Sequence, residues 1–333
     1  MNLKSFKRAI CIILVFCTSV LFFGCNKKDD SGLLAREPGM ESDVITIGIQ
    51  ANAQFLPLYI AKEKHYIEDA LLPYGISVVW NEYNTAIPLN RALNGGICDM
   101  GIMGDVPAVL GVAQYDKTKL IGMTSHAPDN YSIIVKNDSD IRSAKDLAGR
   151  NVGTVYGSTA HLFLKQYLES EGLSLSDVNI TDINVGNALS YIENNELDAV
   201  CAWEPHCVRT VELGAGRYLS KGSKVNLFGG FMFVARKDSI DKDYHTLKII
   251  LEQYEKASKE VSSMDDDYLN EIATDLSINK GQLKSILPEF DFSEIRIKND
   301  DIRGLQRTCN FLYELDIITE EIDADNIVNR NVI

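Results

Sequence analysis

The chain has 333 residues, 45% of them apolar and 24% charged, with 23 Gly and 8 Pro. Those values exclude a disordered, collagenous or mostly membrane-embedded chain and leave room for about two domains. Acids outnumber bases 47 to 33, for a net charge of -14, so the basic field of a nucleic-acid binder is missing. Seven Cys are too few for a disulfide scaffold.

Residues 1–8 carry Lys4, Lys7 and Arg8 and no acid, and Ala9 to Gly24 is an uncharged apolar run. That run is shorter than the roughly 20 residues of a spanning helix, and 1–24 reads as a secretory signal. It ends Leu21-Phe22-Phe23-Gly24-Cys25, which looks like a bacterial lipobox with Phe22 in the place usually held by Leu. On that pattern Cys25 is acylated, by palmitate among other chains, and becomes the mature N-terminus. A plain secretory signal or an uncleaved anchor is the other reading, and each puts the protein outside the cytoplasm. Residues 25–43 read as a flexible tether. The acidic surface cannot hold an anionic bilayer, so the acyl chains must.

Val44-Ile-Thr-Ile-Gly-Ile49 alternates β-branched residues and predicts a strand. A helix is expected from Pro57 through Ala70, a strand from Ile76 to Trp80, and a helix capped by Asn84 or Thr85 that ends at Gly95-Gly96. Met100 to Met103 predicts a third strand, and Gly104-Asp105-Val106-Pro107 opens another helix. The grammar recurs: strand Val152 to Tyr156, cap Ser158, helix Leu162 to Glu169, strand Ile180 to Val185, helix Ala188 to Glu193. Alternation of this kind predicts an α/β architecture with mainly parallel sheets.

The segment Arg91 to Pro107 is echoed by Tyr191 to Pro205. Each has a helix, a turn, an Asp (Asp99, Asp198) before a short apolar strand, then an acid (Asp105, Glu204) and a Pro opening the next helix. One residue must be inserted to align them, and common βαβ chemistry is the competing explanation. We read two lobes of like design, with strands Tyr131 to Lys136 and Phe231 to Arg236 as crossovers. Beyond Asp238 the chain is helical: Leu247, Ile250, Tyr254, Ala257 and Val261 form one stripe, and Ile302 to Ile318 is amphipathic. These helices are expected to pack back on the first lobe.

Parallel sheets bind ligands at the carboxyl ends of their strands, where helix N-termini favour anions. Five turns qualify, and Gly157-Ser158-Thr159-Ala160-His161 offers the most donors. Asp105 and Glu204 argue against a purely anionic ligand if they face the pocket; otherwise they cap helices. Trp203 stacks on a ligand or fills a lobe core. His126, His161 and His206 fall near loop ends and could lend positive charge to an anion, but their wide spacing lacks the usual metal-ligand pattern. Cys98, Cys201, Cys207 and Cys309 could pair outside the cell, although Cys98 and Cys201 sit in apolar strands that suit free thiols. Asp265-Asp266-Asp267 lacks the Gly and Glu of a calcium loop and suits a helix start. Neither a nucleophile elbow nor a phosphate loop is present, and a Ser158–His161 dyad at a helix start is poor nucleophile chemistry.

These residues resemble the extracytoplasmic solute-binding proteins of ABC importers, in the nitrate/sulfonate/taurine-type group that also holds thiamine-precursor binders. The matching stretches are Ala92 to Gly101, Gly157 to His161, Leu197 to Pro205, Gly214 to Arg217 and Gln306 to Ile318, within 44–320. The resemblance implies a type II periplasmic-binding-protein-like fold, with lobes 44–127 and 128–235, helices 236–333, and a ligand cleft between the lobes. By carry-over, Asn52, Gln54, Phe55, Thr85, Asp105, His126, Ser158, Thr159, His161 and Trp203 line that cleft. The Cys-rich signature of the thiamine-precursor binders is absent, and no Arg or Lys lies in the matched loops. A bare anion would then depend on amides, hydroxyls and a protonated His, which favours an organic sulfonate, with or without an amine, over nitrate or a pyrimidine. The implied partners are a membrane permease and its ATPase, with the binding protein a monomer anchored through Cys25. No cofactor, metal or chemistry on the solute is called for. The competing functions are an enzyme on the same fold using Ser158, His161 and Asp105, and a ligand-sensing module docking on a receptor.

Overall fold

The computed structural model describes residues 33–50, 52–276 and 278–333. The expected signal 1–24 and Cys25 lie outside the described residues. Among those described, no helix is long and apolar enough to cross a membrane.

Among the described residues, ten strands make two five-stranded sheets. The first holds β1 (Val44–Ile49), β2 (Ser77–Glu82), β3 (Met100–Gly104), β4 (Thr118–His126) and β10 (Gly230–Arg236), in the order β2-β1-β3-β10-β4. The second holds β5 (Tyr131–Lys136), β6 (Asn151–Thr154), β7 (Asn179–Asp182), β8 (Ala199–Trp203) and β9 (Gly216–Lys221), in the order β7-β6-β8-β5-β9. β1 is parallel to β2 and β3, and β6 is parallel to β7 and β8; β10 and β5 each run antiparallel to both of their neighbours. The sheets therefore share one design, four strands one way and a single incoming strand reversed. The chain is an α/β protein of the expected class.

The sequence echo has a structural cause. Asp99 accepts the Thr46 N–H at 2.8 Å and gives its own N–H to the Thr46 carbonyl at 2.9 Å. Asp198 does the same with Asn151 at 2.8 and 2.9 Å. Asp99 thus locks the start of β3 to β1, and Asp198 the start of β8 to β6. A carboxylate on a backbone donor is a charge-assisted bond, which suits a position where two parallel strands must begin in register.

Strand interiors are apolar because helices cover both faces: Ile45, Ile47, Ile102, Val152 and Cys201 are all buried. The helix Lys237–Ser258 lays Leu247, Ile250, Tyr254 and Ala257 against the first sheet, and the Tyr254 hydroxyl donates to the Thr124 carbonyl of β4 at 2.7 Å. Asp265 caps the helix Asp266–Asp275 by accepting from the Asp267 and Tyr268 amides, as the Asp run predicted. The helix Asn299–Glu314 touches both Asp105–Tyr115 and Thr159–Glu169.

One expected helix is two. The 57–70 segment forms Leu56–Glu63 and Tyr66–Leu71, broken at His65, whose φ is +55°. No Gly or Pro marks that break. The second piece turns to pack against Lys237–Ser258, a tertiary demand that overrides local helix propensity. The β6 and β7 strands also stop earlier than alternation suggests, at Thr154 and Asp182. There the Asp182 side chain turns to accept the Tyr156 amide.

Candidate functional site

Two short connections join the sheets: 127–130 from β4 to β5, and 222–229 from β9 to β10. Both leave a carboxyl-end rim and enter the antiparallel strand at the other sheet's carboxyl-end rim. Four residues reach at most about 14 Å. The two rims must therefore face each other, and the loops best suited to hold a ligand lie opposite one another.

At that junction Asp105, 0% exposed, is the central group. It begins the helix Asp105–Tyr115 after β3, and its Oδ1 accepts the Val106 amide at 2.8 Å. The same oxygen accepts the Thr159 hydroxyl at 2.6 Å, from the first residue of the helix Thr159–Glu169 on the other sheet. Its Oδ2 accepts the Thr308 hydroxyl at 2.8 Å, from the helix Asn299–Glu314. Burial pushes the Asp105 carboxyl above its ordinary value, against the pull of these donors. Two helix N-termini thus converge on one side-chain carboxylate, which occupies the position their dipoles reserve for an anion.

Gln54 and Phe55, in the turn Ala53–Phe55 after β1, are buried beside β4, where Ser125 Oγ meets the Gln54 carbonyl at 3.5 Å. Phe55 packs edge-on to Phe231 at 5.7 Å, and Phe231 stacks on Tyr131 at 6.3 Å. Tyr131 and Phe231 are the first buried aromatics of the strands that receive the two crossovers. Burial raises the Tyr131 phenol well above its usual value, with Asp105 adding to the effect. Among the described residues, buried polar atoms at or near the rims without a hydrogen-bond partner include Gln54 Oε1, Asn130 Nδ2 and Oδ1, Ser132 Oγ, Thr154 Oγ1 and His161 Nε2. Leaving such atoms unmatched is costly, on the order of 1–3 kcal/mol each, and those at the junction are available to a ligand.

His161 is neutral, which corrects the expected protonated His. Its Nδ1 accepts the Gly157 amide at 3.2 Å, so the proton sits on Nε2. Its ring lies 4.8 Å from Tyr156 and 5.4 Å from Phe311, and burial lowers its pKa to about 4. Ser158 caps the helix by accepting the His161 amide at 3.2 Å, and no Ser158–His161 side-chain pair forms. His126, at the end of β4, is held by Asp301 at 2.7 Å.

Of the residues predicted to line a cleft, Gln54, Phe55, Asp105 and Thr159 come together in this way. Trp203, half-buried, stands opposite Tyr131 in the β5–β8 register, beside that group. Asn52 precedes the turn after β1, and Thr85 is exposed at the start of the helix Ala86–Asn94; no side-chain hydrogen bond ties either of them in. Glu204 acts structurally: it accepts the Val208 amide at 2.7 Å and the Tyr218 hydroxyl at 3.0 Å, and burial lifts its pKa to about 7. Tyr131, Phe231 and Thr308 were not anticipated as site residues. Thr308 lies 203 positions from its partner Asp105, and no local pattern announces such a pairing. Among the described residues all four Cys are free and buried, and no cluster of His, Cys, Asp or Glu could hold a metal ion.

A family model described as NMT1/THI5 like matches residues 52–263. A protein of Bacillus subtilis (strain 168) named "Putative aliphatic sulfonates-binding protein" is 29% identical over 327 residues, 97% of this chain and 95% of that protein. The crystal structure of the periplasmic aliphatic sulphonate binding protein SsuA from Escherichia coli superposes with a TM-score of 0.81 at 22% identity, covering 86% of this chain and 92% of that one. The alkanesulfonate-binding protein SsuA from Xanthomonas axonopodis pv. citri, bound to MOPS, gives 0.77 at 22% identity, covering 87% and 99%. The shared fold is that of periplasmic binding proteins.

Proposed function

The chain belongs to the NMT1/THI5-like family, and we propose that it is the extracytoplasmic solute-binding component of an ABC importer, taking a small organic sulfonate. The observation that carries this reading is the pair of like-built sheets turned rim to rim, bridged by the buried Asp105–Thr159 hydrogen bond. Residues 44–127 together with β10 make the first lobe, 128–229 the second, and the helices beyond β10 brace them. The lobes part to admit the solute and close on it by a population shift, driven by contacts made to both.

Asn52, Gln54, Phe55, Thr85, Asp105, His126, Ser158, Thr159, His161 and Trp203 form the proposed lining, with Tyr131 added. The Thr159 and Ala160 amides, the His161 Nε2–H and the hydroxyls meet the sulfonate oxygens. The resident Asp105 carboxylate disfavours a second bare anion, so a solute bearing an amine fits better than nitrate. The protein works as a monomer, anchored through an acylated Cys25 and delivering its cargo to a permease and its ATPase. It performs no reaction on the solute.

The test is thermal melting against taurine, short alkanesulfonates, MOPS, nitrate and a hydroxymethylpyrimidine. At 100 times Kd a true solute adds about 2.7 kcal/mol of stability. One sulfonate should raise the melting temperature and be recovered unchanged. Silence across all sulfonates, or conversion of one to a product, overturns the reading. Replacing Cys25 by Ser should move the protein from the membrane fraction to the soluble one; persistence in the membrane overturns the anchor.

A further inference from the structure

A cavity of about 870 Å³ lies between the helices Ala86–Asn94 and Asp105–Tyr115 and the C-terminal segment around 317–327. Its size is that of a small-molecule pocket. Much of its wall is aliphatic, with Ile87, Leu110, Ile317 and Ile322 among the lining residues. Ile87 is 64% exposed, an apolar side chain on a concave surface that nothing in the fold covers. The cavity's charge is equally distinctive. Arg91 and Lys119 line it; among the described residues neither forms an ion pair, and the Lys119 ammonium donates to the Asn326 carbonyl. Of the two acids in the lining, Asp116 is neutralised by Lys237, leaving only Glu320. The local balance is therefore positive on a chain of net charge -14.

An aliphatic wall beside two cations that form no ion pair suits an alkyl chain ending in an anion. We propose that this cavity is a second ligand site, separate from the rims, for a single-chain amphiphile with an anionic head. The tail lies along Ile87, Leu110, Ile317 and Ile322, and the head is drawn to Arg91 and Lys119. The pocket is independent of the sulfonate reading, since none of the proposed rim residues lines it.

Titration calorimetry of the full mature chain with butyrate, hexanoate, octanoate and decanoate, below micelle concentrations, tests this. Each buried methylene is worth about fourfold in affinity, so Kd should fall steeply along the series. Decyltrimethylammonium, with the same tail and the opposite head, should not bind. Ile87→Ser and Arg91→Gln should each weaken decanoate by tenfold or more; both side chains are exposed, so folding is not at stake. The proposal is overturned if decanoate fails to bind, if affinity ignores chain length or head charge, or if both variants bind decanoate like the wild type. A short alkanesulfonate is itself an alkyl anion, so the melting panel is repeated on Ile87→Ser and Arg91→Gln: a sulfonate shift that survives both changes belongs to the rims, and one that is lost with them belongs to this cavity.

Discussion

The Thr159 hydroxyl donates to Asp105 Oδ1 at 2.6 Å, joining the first helical residue beyond β6 to the first beyond β3. The bond crosses between the two sheets and is fully buried. Rim contact in this structure is thus held by a polar latch.

Thr159→Val removes the donor and leaves the buried Asp105 short of a partner. We expect a loss of about 1–3 kcal/mol by thermal unfolding and a larger radius of gyration by small-angle scattering. Thr159→Ser, which keeps the hydroxyl, should restore both. Equal compactness of the Val and Ser proteins would show that the bond does not hold the rims together.

Glu204 and His161 make opposing contributions to acid stability. Glu204 has its pKa raised to about 7 from 4.5, so the folded state binds the proton more readily than the unfolded chain. Its contribution is fully present below about 4.5 and is lost as pH rises through about 7. His161 has its pKa lowered to about 4 from 6.5, so its contribution is present above about 6.5 and is lost as pH falls through about 4. Each is worth roughly 3 kcal/mol at full extent. Between pH 6.5 and 4.5 the two nearly cancel. Glu204→Gln should therefore lose stability on acidification across that window, and His161→Gln should gain it. Parallel pH profiles for the two variants would refute the assignment.

Gly157 has φ +69°, and a Cβ there would lie 2.9 Å from Ile317 Cδ1. The Ile317 tip can yield, so the backbone conformation dominates. Gly157→Ala should cost roughly 1–2 kcal/mol in denaturant unfolding. Adding Ile317→Ala should not recover it; full recovery would mean that the cost is steric alone.

Asp99→Ala and Asp198→Ala remove the same acceptor from two equivalent strand starts. Each should destabilise by about 1–3 kcal/mol, with comparable values for the pair. A large cost for one and none for the other would argue that the sequence echo is coincidental.

The fold was legible where local chemistry acts alone. The β-branched runs of β1 and β5 predict strands at their observed bounds, and Ser158 and Asp265 announce helix starts because their oxygens accept nearby amides. The paired Asp99 and Asp198 carried the double design, since each satisfies a backbone donor at a fixed offset before its strand. The break at His65 was hidden, because it answers to a helix about 180 residues further along the chain and not to its neighbours.

Sequence by itself thus determined the α/β class, the repeated strand design and the family, since these rest on short-range patterns of apolar, capping and turn residues. Only the tertiary structure decided what the site residues do. It made Asp105 a latch shared by Thr159 and Thr308, kept His161 neutral against Phe311, tied His126 to Asp301 and set Glu204 to brace a helix. A side chain's charge and its partners are fixed by what folding brings within about 3 Å of it and by how much water folding removes, and neither is written along the chain.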